Sequence, residues 1–307
     1  MPYLPDPAQS TLSLSLSSMA LPTDEPLRAI AQPIARILNL PHLPDHFPLL
    51  IYSFLLFTAV HLVISPVLSA RIFPISYGKL RSRRAINQWN IQVVSLFHVF
   101  IVLPLAFACF GSETLKADKL WGWDDRVGRT VAVACGYFLW DTLDAIINFD
   151  DLGFLVHGVS CLTLYMMTFR PFLGYYAPRF LTWELSTIFL NVHRFLDKTG
   201  HTGSSAQWLN GVVLLSTFFS VRIVYGWFLT LDFLRSLYAA RAQLSAGYLL
   251  AFVLGNLTLN ALNLTWFYKM IFAIRKRFDA EAKPLTAGTP APTPAAADTP
   301  AANGHAH

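Results

Sequence analysis

The sequence is short of charge. Of its 307 residues, 13% are Asp, Glu, Lys or Arg, about half the share of an average soluble domain. That deficit argues against a soluble globular fold, and the apolar content argues against a disordered chain. Cysteine is scarce as well. Cys109, Cys135 and Cys161 all lie inside apolar runs, which excludes a disulfide framework and a zinc site of the CxxC type. There is no GxxxxGK[ST] phosphate loop, no HExxH pair and no GxSxG elbow, so the usual nucleotide, zinc-protease and hydrolase signatures are missing. No apolar run carries regularly repeated arginines, which removes a voltage sensor. Paired half-helices broken by Gly or Pro, the mark of many transporters, are also absent. No metal site and no cofactor are expected.

What is present is apolar sequence: 54% of the chain, with a mean hydropathy of +0.45. Such a chain has lipid as its main solvent. The net charge of +5 comes from 23 Lys+Arg against 18 Asp+Glu. Spread over so apolar a chain, it reads as membrane topology and not as nucleic-acid binding.

Four regions differ in composition. Residues 1–47 are polar and rich in Pro and Ser. Their one apolar patch, around Leu12–Leu21, lacks a basic flank and follows Asp6, so it is not read as a cleaved signal peptide. Residues 48–78 hold a first transmembrane helix and its loop, and 79–277 hold the remaining apolar runs. Residues 278–307 form an Ala/Pro/Thr tail, expected to be disordered, with His305 and His307 solvated.

A spanning helix needs roughly 20 residues. Spans are expected near 48–70, 89–111, 129–149, 152–170, 173–196, 208–233 and 245–273. Only Asp150 and Asp151 separate the third from the fourth, which predicts a tight helical hairpin. Arg170, Pro171, Pro178 and Arg179 interrupt the approach to the fifth, which predicts a bent or re-entrant start. The expected fold class is all-α: a polytopic bundle of about seven transmembrane helices around a central cavity. Arg71, Lys79, Arg81, Arg83 and Arg84 follow the first span, and Arg275, Lys276 and Arg277 close the last. The positive-inside rule puts both groups in the cytosol, with the amino terminus lumenal and the carboxyl terminus cytosolic. The sequons at Asn256 and Asn263 fall inside the last span, out of reach of glycosylation.

Ionisable groups in a spanning helix cost roughly 2.5–3.5 kcal/mol on insertion scales, so they should face the bundle interior. In the third span, Asp141, Asp144 and Asn148 lie at i, i+3 and i+7, on one helix face. They form either a proton-sharing or headgroup site, or a pair in which only Asp141 is deep. In the fourth span, His157 precedes Ser160, Cys161 and Tyr165. A neutral imidazole there can act as nucleophile or base, or can be a hydrogen-bonded structural residue. In the fifth, Glu184, Thr187, Asn191 and Arg194 make a polar stripe that must look inward, with His193 off it. Arg222, deep in the sixth span, needs an acid or several carbonyls, and Glu184 or Asp141 is the natural partner. The seventh carries Asn256, Asn260 and Asn263, which either join helices or line a cavity. Trp266 and Lys269 are expected as interface anchors. Gln88, Gln92, Ser95 and His98 on the second span, with His61 and Ser65 on the first, extend the pattern to every span. A shared polar or amphipathic cavity is the economical explanation.

Three stretches resemble the TLC-domain family, the membrane fold shared by ceramide synthases, translocation-associated membrane proteins and a set of lipid-homeostasis proteins. They are Asp151-Leu-Gly-Phe-Leu-Val156-His157, Trp183 to Leu196 with its Glu-Ser-Thr-like core, and Asn263 to Met270 followed by the basic exit Arg275-Lys-Arg277. Arg222 also sits where the family places an arginine. The resemblance runs from Lys79 to Arg277, about two thirds of the chain. It implies that His157 matches the second of the synthases' paired histidines and Glu184 the first of two acids. Val156 and Thr187 stand where the other histidine and acid would be. The smaller lipid-homeostasis branch is the nearer likeness.

The resemblance therefore implies a protein of the endoplasmic reticulum whose partner is a membrane lipid, a sphingolipid or phospholipid, bound or sensed in an intramembrane cavity. The lipid-binding residues expected are Asp141, Asp144, Thr187, Asn191, Arg222, Asn256, Asn260 and Asn263. The alternative is acyl transfer to a lipid amine or hydroxyl, with His157 as nucleophile or general base, Glu184 assisting, and acyl-CoA as co-substrate.

Overall fold

The computed structural model describes residues 24–281, with side chains to residue 274. The Leu12–Leu21 patch, and the tail from 282 on, lie outside the described residues. The chain divides into two compact units between Phe267 and Tyr268. Everything below concerns the first, apart from the length of the last helix.

Among the described residues the structure is helical, with no strand. Helix α1, Asp24–Leu38, buries Ala31 and Ala35 and exposes Ile30, Ile34 and Ile37. The membrane helices follow: α2, Leu43–Ile72; α3, Arg83–Ala108; α4, Asp125–Ile147; and α5, Leu152–Met167. Then come α6, Leu185–Lys198, α7, Ser205–Ala239, and α8, Ala246–Glu281. This is an integral membrane protein built as a helical bundle.

Five of these helices, α2, α3, α4, α7 and α8, are long and apolar enough to cross a membrane by themselves. The other two expected spans differ. Helix α5 has 16 residues, and at 1.5 Å per residue rises about 24 Å, less than a hydrocarbon core of about 30 Å. The expected span 173–196 is broken, as its prolines and arginines foreshadow: a short helix at Ala177–Phe180, a tighter 3-10 turn at Leu181–Glu184, then α6. Helix α8 also runs to Glu281, a little past the start of the expected tail.

Capping fixes where the helices begin. Ser82 accepts a hydrogen bond from the Ala85 amide at 3.1 Å and starts α3 in polar sequence ahead of its apolar run. Asp124 accepts from the Arg126 amide at 2.9 Å to start α4. Asp151 accepts from the Gly153 amide at 2.6 Å to start α5, so the two aspartates between α4 and α5 do form the turn of a tight hairpin. Burial raises the Asp124 carboxyl, but hydrogen bonds from Arg126 outweigh it and hold it down at about 2. A depressed carboxyl stabilises the folded state above its unfolded value near 3.8 and loses that contribution as pH falls towards 2. Asp124→Ala should therefore cost about 1 kcal/mol at neutral pH. Thermal unfolding in detergent should show the gap from wild type closing between about pH 4 and pH 2.

Helix α4 is the centre of the bundle. In its most apolar window 61% of residues are buried, against 28% for α7 and α8, whose outer faces meet lipid. Around α4 the core is aromatic: Tyr137 stacks on the fully buried His98 at 3.7 Å, with Phe57 edge-on to both.

Candidate functional site

A narrow pocket lies among α4, α5, the bend at 177–184, α7 and the first half of α8, with an empty volume of about 660 Å³ counted out to its mouth. Its walls are largely apolar: Phe138, Leu164, Phe180, Leu181, Phe233 and Phe252. One end is polar, with His157, Cys161, Glu184, Arg222 and Asn256. Along α5 the lining runs from His157 to Thr168, a rise of about 16 Å, roughly the length of a dozen methylenes.

Arg222 organises the polar end. It sits on a π-helical turn, Phe219–Val224, inside α7. Such a turn inserts one residue and re-aims the side chains beside it. Its Nε donates to the Trp183 carbonyl at 3.0 Å and to Ser186 Oγ at 2.9 Å. Nη2 donates to Thr187 Oγ1 at 3.0 Å, and Nη1 to Asn263 Oδ1 at 3.1 Å. Glu184 Oε1 is 3.9 Å from Nη2. One guanidinium thus ties the 3-10 turn, α6 and α8 to α7, and the expected partner Glu184 is its counter-ion. His157 lies on α5 at the same end, 3.7 Å from Cys161 Sγ through Nε2 and edge-on to Trp266 at 5.3 Å. Trp266, expected as an interface anchor, packs against Phe154 and His157.

A second, wider cavity opens where α3 begins and α4 and α6 end, with an empty volume of about 1630 Å³ that includes open solvent at its mouth. Asp141 and Asp144 line it, opposite Arg194 and Lys198. Asp144 accepts from Asn148 Nδ2 at 2.9 Å and from Asn87 Nδ2 at 3.3 Å, with His61 at 3.9 Å. His61 too sits on a π-helical turn, Val60–Ile64. At the rim Arg84 pairs with Asp150, which also accepts from Gln88 at 3.1 Å.

The expected site residues thus divide. His157, Glu184, Arg222 and Asn256 share the narrow pocket, while Asp141 and Asp144 share the wide one. Thr187, Asn191, Asn260 and Asn263 line neither. Thr187 and Asn263 hold Arg222. Asn191 donates to Ser95 on α3 at 3.0 Å, and Asn260 donates to Thr230 on α7 at 3.0 Å. These amides join helices, one of the two roles open to them from sequence. Arg194 and Lys198, which have no hydrogen-bond or ion-pair partner among the described residues, stand at i and i+4 on α6, a spacing that the sequence shows.

The TLC domain matches residues 88–272, nearly the whole stretch that carries both cavities. The chain belongs to the TLC-domain family. It is 36% identical over 282 residues to an uncharacterized TLC domain-containing protein of Schizosaccharomyces pombe, covering 87% of this chain and 95% of that protein. It is 30% identical to TLC domain-containing protein 4-B of Danio rerio, over 71% of this chain and 84% of that protein. It is 24% identical to topoisomerase I damage affected protein 4 of Saccharomyces cerevisiae, over 80% of this chain and 92% of that protein. Within this TLC domain, Thr187 stands where an acid was implied by the likeness to the synthases, and the structure occupies it with Arg222.

Proposed function

We propose that the protein holds a membrane lipid, a sphingolipid or phospholipid, with an acyl chain in the narrow pocket, and through it influences membrane lipid composition. The observation that carries the reading is the pocket itself: apolar and chain-shaped, closed at one end by His157, Glu184 and Arg222. An ester or amide linkage offers acceptors for the imidazole and guanidinium and, in an amide, a donor for Glu184. The family setting and the basic loops suit the endoplasmic reticulum, with the amino terminus lumenal and the carboxyl terminus cytosolic.

A second reading is acyl transfer from acyl-CoA, favoured by His157 and Glu184 lining one pocket. Purified protein extracted for lipid, and weighed intact after incubation with acyl-CoA, separates the two. Binding predicts copurified lipid, no adduct and no turnover of acyl-CoA. An adduct present in wild type and absent in His157→Ala would make it an enzyme. Ala177 lines the pocket and is small, so Ala177→Trp should remove most copurified lipid while costing about 1–3 kcal/mol for overpacking. Full retention of lipid by that variant refutes the pocket as its seat.

A further inference from the structure

We propose that the wide cavity is a headgroup vestibule for a zwitterionic phospholipid, with its phosphate at Arg194 and Lys198 and its ammonium at Asp141 and Asp144. The inference rests on the lipid-binding reading of the narrow pocket and names the class of lipid.

The charges of the vestibule do not cancel one another locally. Arg194 and Lys198, one turn apart on α6, form no hydrogen bond or ion pair with any described residue. Both line the cavity, and each repels the other, an arrangement that an anion between them would stabilise. Across the cavity the Asp141 carboxylate likewise has no hydrogen-bond or ion-pair partner among the described residues. It lies against α5 where Gly158 leaves room: a Cβ there would come within 3.2 Å of Asp141 Oδ2. The remaining charges are committed, Arg84 to Asp150, Asp151 to the start of α5, and Asp144 to Asn87 and Asn148. What lacks a hydrogen-bonded or ion-paired counterpart among the described residues is therefore the cationic pair on α6, with only Asp197 acting on Lys198 from beside it, and Asp141 on α4. A ligand that completes both carries an anion and a cation.

Charge balance argues against a polyanion. Four acids and three cations line the vestibule, so a nucleotide thioester with several phosphates would meet net repulsion. A primary ammonium suits the acid wall better than a quaternary one, because the two carboxylates offer acceptors for its N–H groups. The two cavities also adjoin. On α4, Asp141 lines the vestibule and Phe138, one turn away, lines the narrow pocket; on α5, Phe154 and His157 divide in the same way. A headgroup in the first can continue as a chain in the second.

The test is a titration of the full-length protein in detergent with dioctanoyl lipids that share chains and differ in headgroup: phosphatidylethanolamine, phosphatidic acid and diacylglycerol. Free phosphoethanolamine and coenzyme A are run beside them. Phosphatidylethanolamine should bind about tenfold or more tighter than diacylglycerol. Arg194→Gln and Lys198→Gln should each weaken it and phosphatidic acid alike by about tenfold. Asp141→Asn should weaken phosphatidylethanolamine and leave phosphatidic acid unchanged or tighter. Competition by free phosphoethanolamine at the same site would still place the zwitterion there, and would assign it to a soluble source if it binds as tightly as the lipid. Equal affinity for all three lipids, unmoved by the variants, overturns the vestibule and leaves the lipid pocket standing. Preference for coenzyme A also overturns it. No binding of any lipid, diacylglycerol included, by protein with an unchanged melting temperature overturns the lipid-binding reading itself. Arg194→Gln and Lys198→Gln break no hydrogen bond or ion pair with a described residue, so two independent variants report even if Asp141→Asn folds poorly.

Discussion

Arg222→Ala should destabilise the bundle by roughly 3–5 kcal/mol, the range for breaking a buried ionic network from one side. The substitution withdraws donors from Trp183 O, Ser186 Oγ, Thr187 Oγ1 and Asn263 Oδ1 at once. It also leaves Glu184, 8% exposed, without its nearest cation. The expected readouts are a much lower melting temperature in detergent and loss of copurified lipid. Arg222→Lys should recover only part of the loss, because an ammonium cannot reproduce a planar fork aimed at three elements. Adding Glu184→Gln to Arg222→Ala should restore some stability, since it removes the uncompensated charge, and that non-additivity is the mark of direct coupling. Wild-type melting of Arg222→Ala would show that the arginine is not the tie between α7 and its neighbours.

Gly136→Val should cost about 3 kcal/mol or more, at the upper end of overpacking effects. On α4, Gly128, Ala132 and Gly136 recur every fourth residue and are buried along one side. A Cβ on Gly136 would lie 2.6 Å from Ser53 Cβ, 2.7 Å from Leu50 O and 2.8 Å from Phe54 N. Two of those atoms are α2 backbone, so the helix itself would have to move. Small residues at this spacing are how helices approach closely in lipid, where packing replaces the hydrophobic effect as the driving force. Gly78→Ala is the control, since nothing lies within 4 Å of the added carbon. Expression of folded protein and its melting temperature should fall for Gly136→Val and hold for Gly78→Ala. Equal behaviour would mean that α2 and α4 do not pack as closely as this.

Much of this was legible from residue order. A helix in lipid must satisfy its own backbone and keep charge off its outer face, so long apolar runs give the membrane helices and the polar positions along them give the inward faces. The hairpin turn at Asp150–Asp151 and the break near Pro178 follow from such local rules, whereas the partner of Arg222 stays open in sequence between Glu184 and Asp141 and is settled as Glu184 by the fold. The two crossings expected at 152–170 and 173–196 show the limit. Hydropathy does not say where a cap or a 3-10 turn stops a helix, and α5 ends after 16 residues.

What sequence determined is therefore the solvent, the helical class and the family, because each depends on composition or on residues close together in the chain. What only tertiary structure decided is which polar groups are already engaged and which are left over. Asn191, Asn260 and Asn263 look as functional in sequence as Asn256 does, yet each of the three is hydrogen-bonded to a side chain of another helix, up to 96 positions away. Arg194 and Asp141 are set apart by having no hydrogen-bond or ion-pair partner among the described residues. Partnership between side chains is a property of packed helices, and it is the fold that shows His61 and Arg222 on π-helical turns.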